Sequence, residues 1–257
     1  MKFSRHLIAY AFLVLALAGS LAGNYFLFQK ATHFYAREAQ VRIEPISDRF
    51  AEENALVRAK EKTKPRFVMF GESRCGMWGA YPAQNWGDIE IINRGIGGET
   101  TPQIKRRLED DVLSLDPDVV ILQMGDNDLK TMAVLPGTRR GTIEMTYDNI
   151  TEIAKTLSDQ GIHVIITTIF PPAPIELLRK PLWSDEVNES IDLVNQRLLD
   201  FEYPRVTTAN CDEILRDGKY IKPEYSRDTL HLKESGYLAL NEQLEPLVRR
   251  VLAESQN

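Results

Sequence analysis

Four short stretches, far apart in the chain, carry side chains that could work together on an acyl group. They are Gly71-Glu72-Ser73, Gly97-Gly98, Gly125-Asp126-Asn127-Asp128 and Asp228-Thr229-Leu230-His231. Ser73 is a hydroxyl nucleophile candidate. Its attack on an ester needs a base for the hydroxyl proton, a group that orients that base, and donors for the oxyanion. Of the four histidines, His6 precedes an apolar segment, His33 follows it and His163 opens a β-branched run, which leaves His231 as the base. Asp228, three residues earlier, can accept the Nδ1 proton, fix the tautomer and stabilise the imidazolium. Asn127 offers an amide donor without a change of charge, and Gly98 can bring its backbone N–H close to a substrate because no Cβ intervenes. The Ser73 N–H is the third donor. Taken alone, each has an ordinary role as a cap, turn or surface residue; taken together they point to catalysis.

The elements that must position these residues read as an alternating pattern. Short apolar runs at Phe67–Phe70, Ile89–Asn93, Val119–Met124, His163–Ile169 and Arg205–Ala209 suggest five strands. Helical patterns run from about Pro102 to Leu115, Met145 to Asp159, Ser184 to Phe201 and Glu234 to Leu252. Strands alternating with helices imply a parallel sheet covered on both faces. Ser73, Gly98, Asn127 and the Asp228/His231 pair each fall beyond the carboxyl end of a predicted strand, and a parallel sheet gathers those ends at one edge, where ligands bind in open α/β folds.

These four blocks, in this order, resemble those of the SGNH (GDSL-type) hydrolases. Gly71-Glu72-Ser73 matches the Gly-Asp-Ser block, Gly98 the oxyanion glycine, Gly125-Asp126-Asn127-Asp128 the Gly-x-Asn-Asp block and Asp228-Thr229-Leu230-His231 the Asp-x-x-His block. The resemblance runs from about Arg66 to the C-terminus. It implies a three-layer flavodoxin-like fold with a five-stranded parallel sheet, and a Ser73-His231-Asp228 triad with an oxyanion hole of Ser73, Gly98 and Asn127. It also implies neither metal nor organic cofactor. One residue departs from the pattern: Glu72 replaces the usual aspartate, keeping the charge but moving the carboxylate one bond further out.

The chain has 257 residues, 43% hydrophobic and 26% charged, which suits one α/β domain with a short appendage. A net charge of −6 and a pI near 5.4 argue against a nucleic-acid partner. Lys2 and Arg5 precede an uncharged apolar stretch, Leu7 to Phe28, long enough for a bilayer core. The reading is a signal anchor over residues 1–28, a stalk or ancillary helix over 29–64 (helix-prone from Ser47 to Lys62) and a hydrolase domain over 65–257. The basic N-terminal side places that end in the cytoplasm and the domain outside it, in a periplasm if the source is Gram-negative. The alternative is a signal peptide cleaved after Ala16-Leu17-Ala18 and a secreted product. Cys75 and Cys211 are expected as buried thiols, with a disulfide as the lesser alternative.

The expected substrate is a small-molecule, glycan or lipid ester. No long apolar lid is evident for a fatty chain, which favours short acyl groups such as acetyl, with a cell-envelope polysaccharide as one carrier. Alternatives are lipase or lysophospholipase action, acyl transfer, or a catalytically silent glycan-binding subunit. Trp78, Tyr81, Trp86 and Trp183 could stack on sugar rings but fit core packing better. Arg139 and Arg140, placed in the loop after the third strand, could attract an acidic ligand but fit a solvated loop better.

Overall fold

The computed structural model describes residues 5–43, 48–81, 86–135, 137–177, 179–180 and 183–255. The chain divides into two compact units, Met1–Ser47 and Asp48–Asn257. The first unit is a helix, α1 (Arg5–Ile43). Within it, Arg5–Phe34 contains an 18-residue stretch of mean hydropathy 1.9 and is long and apolar enough to cross a membrane.

The second unit is built on five parallel strands: β1 (Arg66–Gly71), β2 (Glu90–Gly95), β3 (Val119–Gln123), β4 (His163–Thr167) and β5 (Val206–Ala209), in the order β2-β1-β3-β4-β5. Every residue of β1 and β3 is buried, as expected of central strands covered on both faces. The period of two sorts their side chains into two cores. Val68, Phe70, Val120, Leu122, Val164 and Ile166 face one layer of helices; Phe67, Met69, Val119, Ile121 and Ile165 face the other. The first layer holds α4 (Thr101–Arg106), α5 (Leu108–Asp111), α7 (Arg139–Asp159) and α8 (Asp185–Leu199). The second holds α3 (Ser73–Trp78), α9 (Cys211–Leu215) and α10 (Glu234–Ser255). A short α6 (Asp126–Lys130) follows β3, and β6 (Arg216–Asp217) pairs with β7 (Tyr220–Ile221).

The strands lie where the apolar runs place them, but two helices differ from expectation. The helix predicted from Pro102 to Leu115 is broken into α4, α5 and a 3₁₀ turn, Leu113–Leu115. Arg107, at the break, buries its guanidinium against Glu99, Asp111 and the Gly71 carbonyl. Helix α7 begins at Arg139, ahead of the expected Met145, so Arg139 and Arg140 form its first turn and are not loop residues. Arg139 pairs with Glu189 on α8 at 2.9 Å.

Within 29–64, α2 (Ala51–Ala59) belongs to the compact unit that carries the sheet. Buried Asn54 donates to Asp111 Oδ1 at 2.7 Å and accepts from Arg94 Nε at 2.8 Å, tying α2 to the carboxyl end of β2. Cys75 and Cys211 are both free, buried thiols.

Candidate active site

The strand order makes one point on the sheet special. From β1 the chain first goes to β2 on one side and then crosses to β3 on the other, which opens a crevice beyond the carboxyl ends of β1 and β3. Ser73, Gly98 and Asn127 follow β1, β2 and β3 into that region. His163, at the first residue of β4, lies at the opposite edge.

Ser73 is the first residue of α3, with Glu72 as its extended N-cap. An N1 amide has no carbonyl within its own helix to bind, so the Ser73 N–H is an intrinsic donor. The turn from strand to helix is tight. A Cβ built on Gly71 would lie 1.8 Å from the Gln123 carbonyl oxygen, so only glycine lets β1 approach β3 at that point. The next loop closes over the serine: a Cβ on Gly97 would sit 3.6 Å from Ser73 Cβ, and Gly98, exposed, has a φ of +83°.

The Ser73 Oγ lies 3.2 Å from His231 Nε2. His231 Nδ1 lies 2.9 Å from Asp228 Oδ2 and 3.1 Å from Oδ1. With a carboxylate at Nδ1, the proton sits there and Nε2 is left to accept from the serine hydroxyl. The spacing works through a turn outside any helix, in which Asp228 Oδ1 also accepts from the backbone N–H of Leu230 at 2.8 Å and of His231 at 3.0 Å. Partial burial acts to raise the Asp228 pKa, but these two N–H groups and the imidazole outweigh it and hold the carboxyl at about 2.

Asn127 is buried, and its amide is engaged. Nδ2 donates to Glu72 Oε2 at 2.7 Å and to the Glu99 carbonyl at 2.8 Å, its backbone N–H donates to Glu72 Oε2 at 3.1 Å, and Oδ1 accepts from Lys130 Nζ. Glu72 therefore turns inward, and its extra methylene places the carboxylate under Asn127. Burial first and Asp126 second push its pKa up to about 8, against the opposing pull of Arg74 and the Asn127 N–H. Asp128 accepts from the Thr101 N–H at 2.9 Å and from its hydroxyl at 2.7 Å; burial outweighs these bonds and raises it to about 6.

Sequence reasoning missed Arg74. It follows the nucleophile and is 1% exposed. Its Nε donates to the Leu230 carbonyl at 2.6 Å and its Nη1 to the Phe170 carbonyl at 2.6 Å, while Nη2 lies 3.6 Å from Asp126 Oδ1. One side chain thus joins the serine helix to the loop after β4 and to the turn carrying His231. Tyr237 of α10 donates to the Arg74 carbonyl at 3.0 Å. The available signal was an arginine wedged between a nucleophile and an apolar Cys75, where a solvated position is improbable. The aromatic candidates are mostly structural: Trp78 and Trp86 are core residues, Tyr81 stacks on Tyr237, and half-buried Trp183 donates to Asn188.

A five-stranded parallel α/β sheet, with a serine, a histidine and an aspartate joined by hydrogen bonds at its carboxyl edge, defines an SGNH-type acyl hydrolase architecture. Residues 65–239 match the model of the GDSL-like lipase/acylhydrolase family, and the chain belongs to that family of ester hydrolases. A GDSL-like lipase of Bacteroides thetaiotaomicron superposes with a TM-score of 0.64 at 22% identity, over 79% of this chain and 97% of that one. A carbohydrate acetylesterase of Sinorhizobium meliloti, Est24, gives 0.57 at 17% identity, over 73% and 100%. In sequence, the chain is 30% identical to YqeF, an uncharacterised lipoprotein of Bacillus subtilis, over 118 residues. That match covers 40% of this chain and spans about half of the relative, 48%.

Proposed function

We propose that the chain is a serine esterase in which Ser73, His231 and Asp228 form a catalytic triad acting on short acyl esters. The observation that carries this reading is the unbroken series of contacts from Ser73 Oγ to His231 Nε2 at 3.2 Å and from His231 Nδ1 to Asp228 Oδ2 at 2.9 Å. Ser73 Oγ attacks the ester carbonyl as its proton passes to Nε2, and Asp228, ionised above about pH 2, stabilises the imidazolium. The oxyanion receives the N–H groups of Ser73 and Gly98. Asn127 joins them by exchanging its bond to the Glu99 carbonyl for one to the oxyanion. His231 then protonates the leaving alcohol, and a water repeats the sequence on the acyl-serine.

The short-acyl preference rests on the absence of a long apolar lid in the sequence, and the acetylesterase activity named for the Sinorhizobium protein is consistent with it. A glycan carrier at the cell envelope fits the same reading. Helix α1 serves as the signal anchor, with Lys2 and Arg5 on the cytoplasmic side and the esterase domain outside the cytoplasm.

The test is turnover of p-nitrophenyl acetate, butyrate and octanoate by the full chain in mild detergent, beside Ser73→Ala. Turnover lost in the variant and highest on acetate is expected. No Ser73-dependent turnover on any ester refutes the triad, and a preference for octanoate refutes the short-acyl assignment.

A further inference from the structure

Beneath the serine lies a group of acids that the triad does not use. Glu72 is 1% and Asp126 3% exposed. Glu72 Oε2 is fully occupied by the two N–H groups of Asn127, yet Glu72 Oε1 and Asp126 Oδ1 are both buried without a hydrogen-bond partner among the described residues. Two buried acceptors without donors, on acids close enough for Asp126 to act on Glu72 electrostatically, are costly as a pair of carboxylates. The charged and titratable groups around them are few. From α3, Arg74 approaches Asp126 but spends its other N–H groups on backbone carbonyls, and the Cys75 thiol is pushed up by burial to about 12 and stays neutral. From α6, Asp128 is bound to Thr101, and Lys130 contacts the Asn127 side-chain oxygen. From the α4–α5 junction, Arg107 is held by Glu99 and Asp111, and from α10 the Tyr237 hydroxyl binds the Arg74 carbonyl. One guanidinium therefore faces two acids. A single proton placed between them removes a buried charge and supplies the missing donor.

We propose that Glu72 is a positioning residue that carries the one proton of a buried Glu72–Asp126 pair: its Oε1–H donates to Asp126 Oδ1, and its Oε2 remains a fixed acceptor that holds the Asn127 amide at the floor of the site. This rests on the esterase reading for its kinetic consequences, but the proton itself is independent of it. The exchange of aspartate for glutamate supplies the reach for Oε2 to hold Asn127 while Oε1 is left for the proton toward Asp126. Loss of the proton leaves two facing carboxylates, and the relief is rotation of Glu72 away from Asp126, which withdraws Oε2 from Asn127. Oxyanion stabilisation then weakens while substrate binding is spared.

The experiment compares Glu72→Gln, Glu72→Ala and the wild type in the full chain. Glutamine is a neutral copy of the protonated acid: its amide donates to Asp126 and its carbonyl accepts from Asn127, with nothing to titrate. The wild-type kcat is expected to fall about tenfold per pH unit above about pH 8, at nearly constant KM. Glu72→Ala is expected to lose on the order of 10²-fold at every pH. Glu72→Gln is expected to recover most of that loss near pH 7 and to lack the alkaline fall. In parallel, the infrared spectrum of the wild type at pH 7 should contain a protonated-carboxyl C=O band that disappears at alkaline pH and is absent from Glu72→Gln. A folded Glu72→Gln as inactive as Glu72→Ala overturns the proposal, as does an alkaline fall retained in the glutamine variant or a missing carboxyl band. Absence of any Ser73-dependent turnover sinks the esterase reading alone, because the infrared band still decides where the proton resides.

Discussion

Removing the Arg74 guanidinium while keeping its bulk, as in Arg74→Met, is expected to destabilise the fold and to slow catalysis without touching a reacting atom. The two 2.6 Å bonds to the Leu230 and Phe170 carbonyls are charge-assisted and buried. A buried acceptor left unpaired costs about 1–3 kcal/mol, and removing one partner of a buried ion pair costs about 3–5 kcal/mol. Because these losses share one side chain they do not add; a total of about 4 kcal/mol is expected. A domain of ordinary stability, roughly 5–15 kcal/mol, survives that in weakened form. The catalytic loss follows from where the anchor sits: Leu230 lies between Asp228 and His231, so its carbonyl fixes the turn that aims Nε2 at Ser73. A drift of about 1 Å in such a contact can cost on the order of 10²-fold in rate.

The assay pairs denaturant unfolding of the Asp48–Asn257 unit with ester kinetics. The loss is expected in kcat, with KM little changed. Arg74→Lys keeps the charge near Asp126 but cannot reach two carbonyls in a planar fork, so it should recover stability partly and rate poorly. A folded Arg74→Met destabilised by less than about 1 kcal/mol, or one with an unchanged kcat, would show that the guanidinium neither bears the fold nor aims the histidine.

Two further outcomes follow from the same geometry. Asp228→Asn should keep the fold, since an amide oxygen can still accept from the Leu230 and His231 N–H groups, yet lower kcat on the order of 10⁴-fold through the wrong imidazole tautomer; a loss below tenfold would remove Asp228 from the triad. Because folding lowers the Asp228 pKa from 3.8 to about 2, its contribution to stability is complete above pH 3.8 and lost as pH falls through about 2, a loss that acid titration of the asparagine variant should lack. Gly71→Ala would drive a methyl into the Gln123 carbonyl oxygen at 1.8 Å, and forced separation of β1 from β3 should cost about 3 kcal/mol or more and displace Ser73; a melting temperature equal to wild type would contradict the close approach.

The strands, and the candidate residues placed directly after them, were legible for a shared reason. Central strands of a parallel sheet are continuous apolar runs, and Ser73, Gly98 and Asn127 follow β1, β2 and β3 within a few residues; Asp228 and His231 come later, beyond α9 and the β6–β7 pair, and were read from their spacing. The helices were read less well because their ends depend on individual side chains. The break between α4 and α5 falls at Arg107, whose guanidinium turns under the sheet to the Gly71 carbonyl and over the Phe70 ring. Nothing in an apolar periodicity signals that, since arginine ordinarily marks the solvated face. Arg74 and Arg94 escaped notice for the same reason, although both are at most 3% exposed.

The placing of these three arginines also bears on the proton proposed for Glu72. Around β2 and the α4–α5 junction, Arg94 and Arg107 meet Glu99 and Asp111, with Asn54 bridging Arg94 to Asp111, so charges there are balanced and each acid has a donor. Around α3 and α6, Glu72, Asp126 and Asp128 are all buried, and Arg74 lies 3.6 Å from Asp126. Asp128 is partly compensated by two donors from Thr101, and Asp126 lies beside the guanidinium. Glu72 has only the two N–H groups of Asn127, both on one oxygen, and its other oxygen has no donor among the described residues. Burial and the neighbouring Asp126 outweigh those two donors and raise Glu72 to about 8, so the proposed proton is placed there.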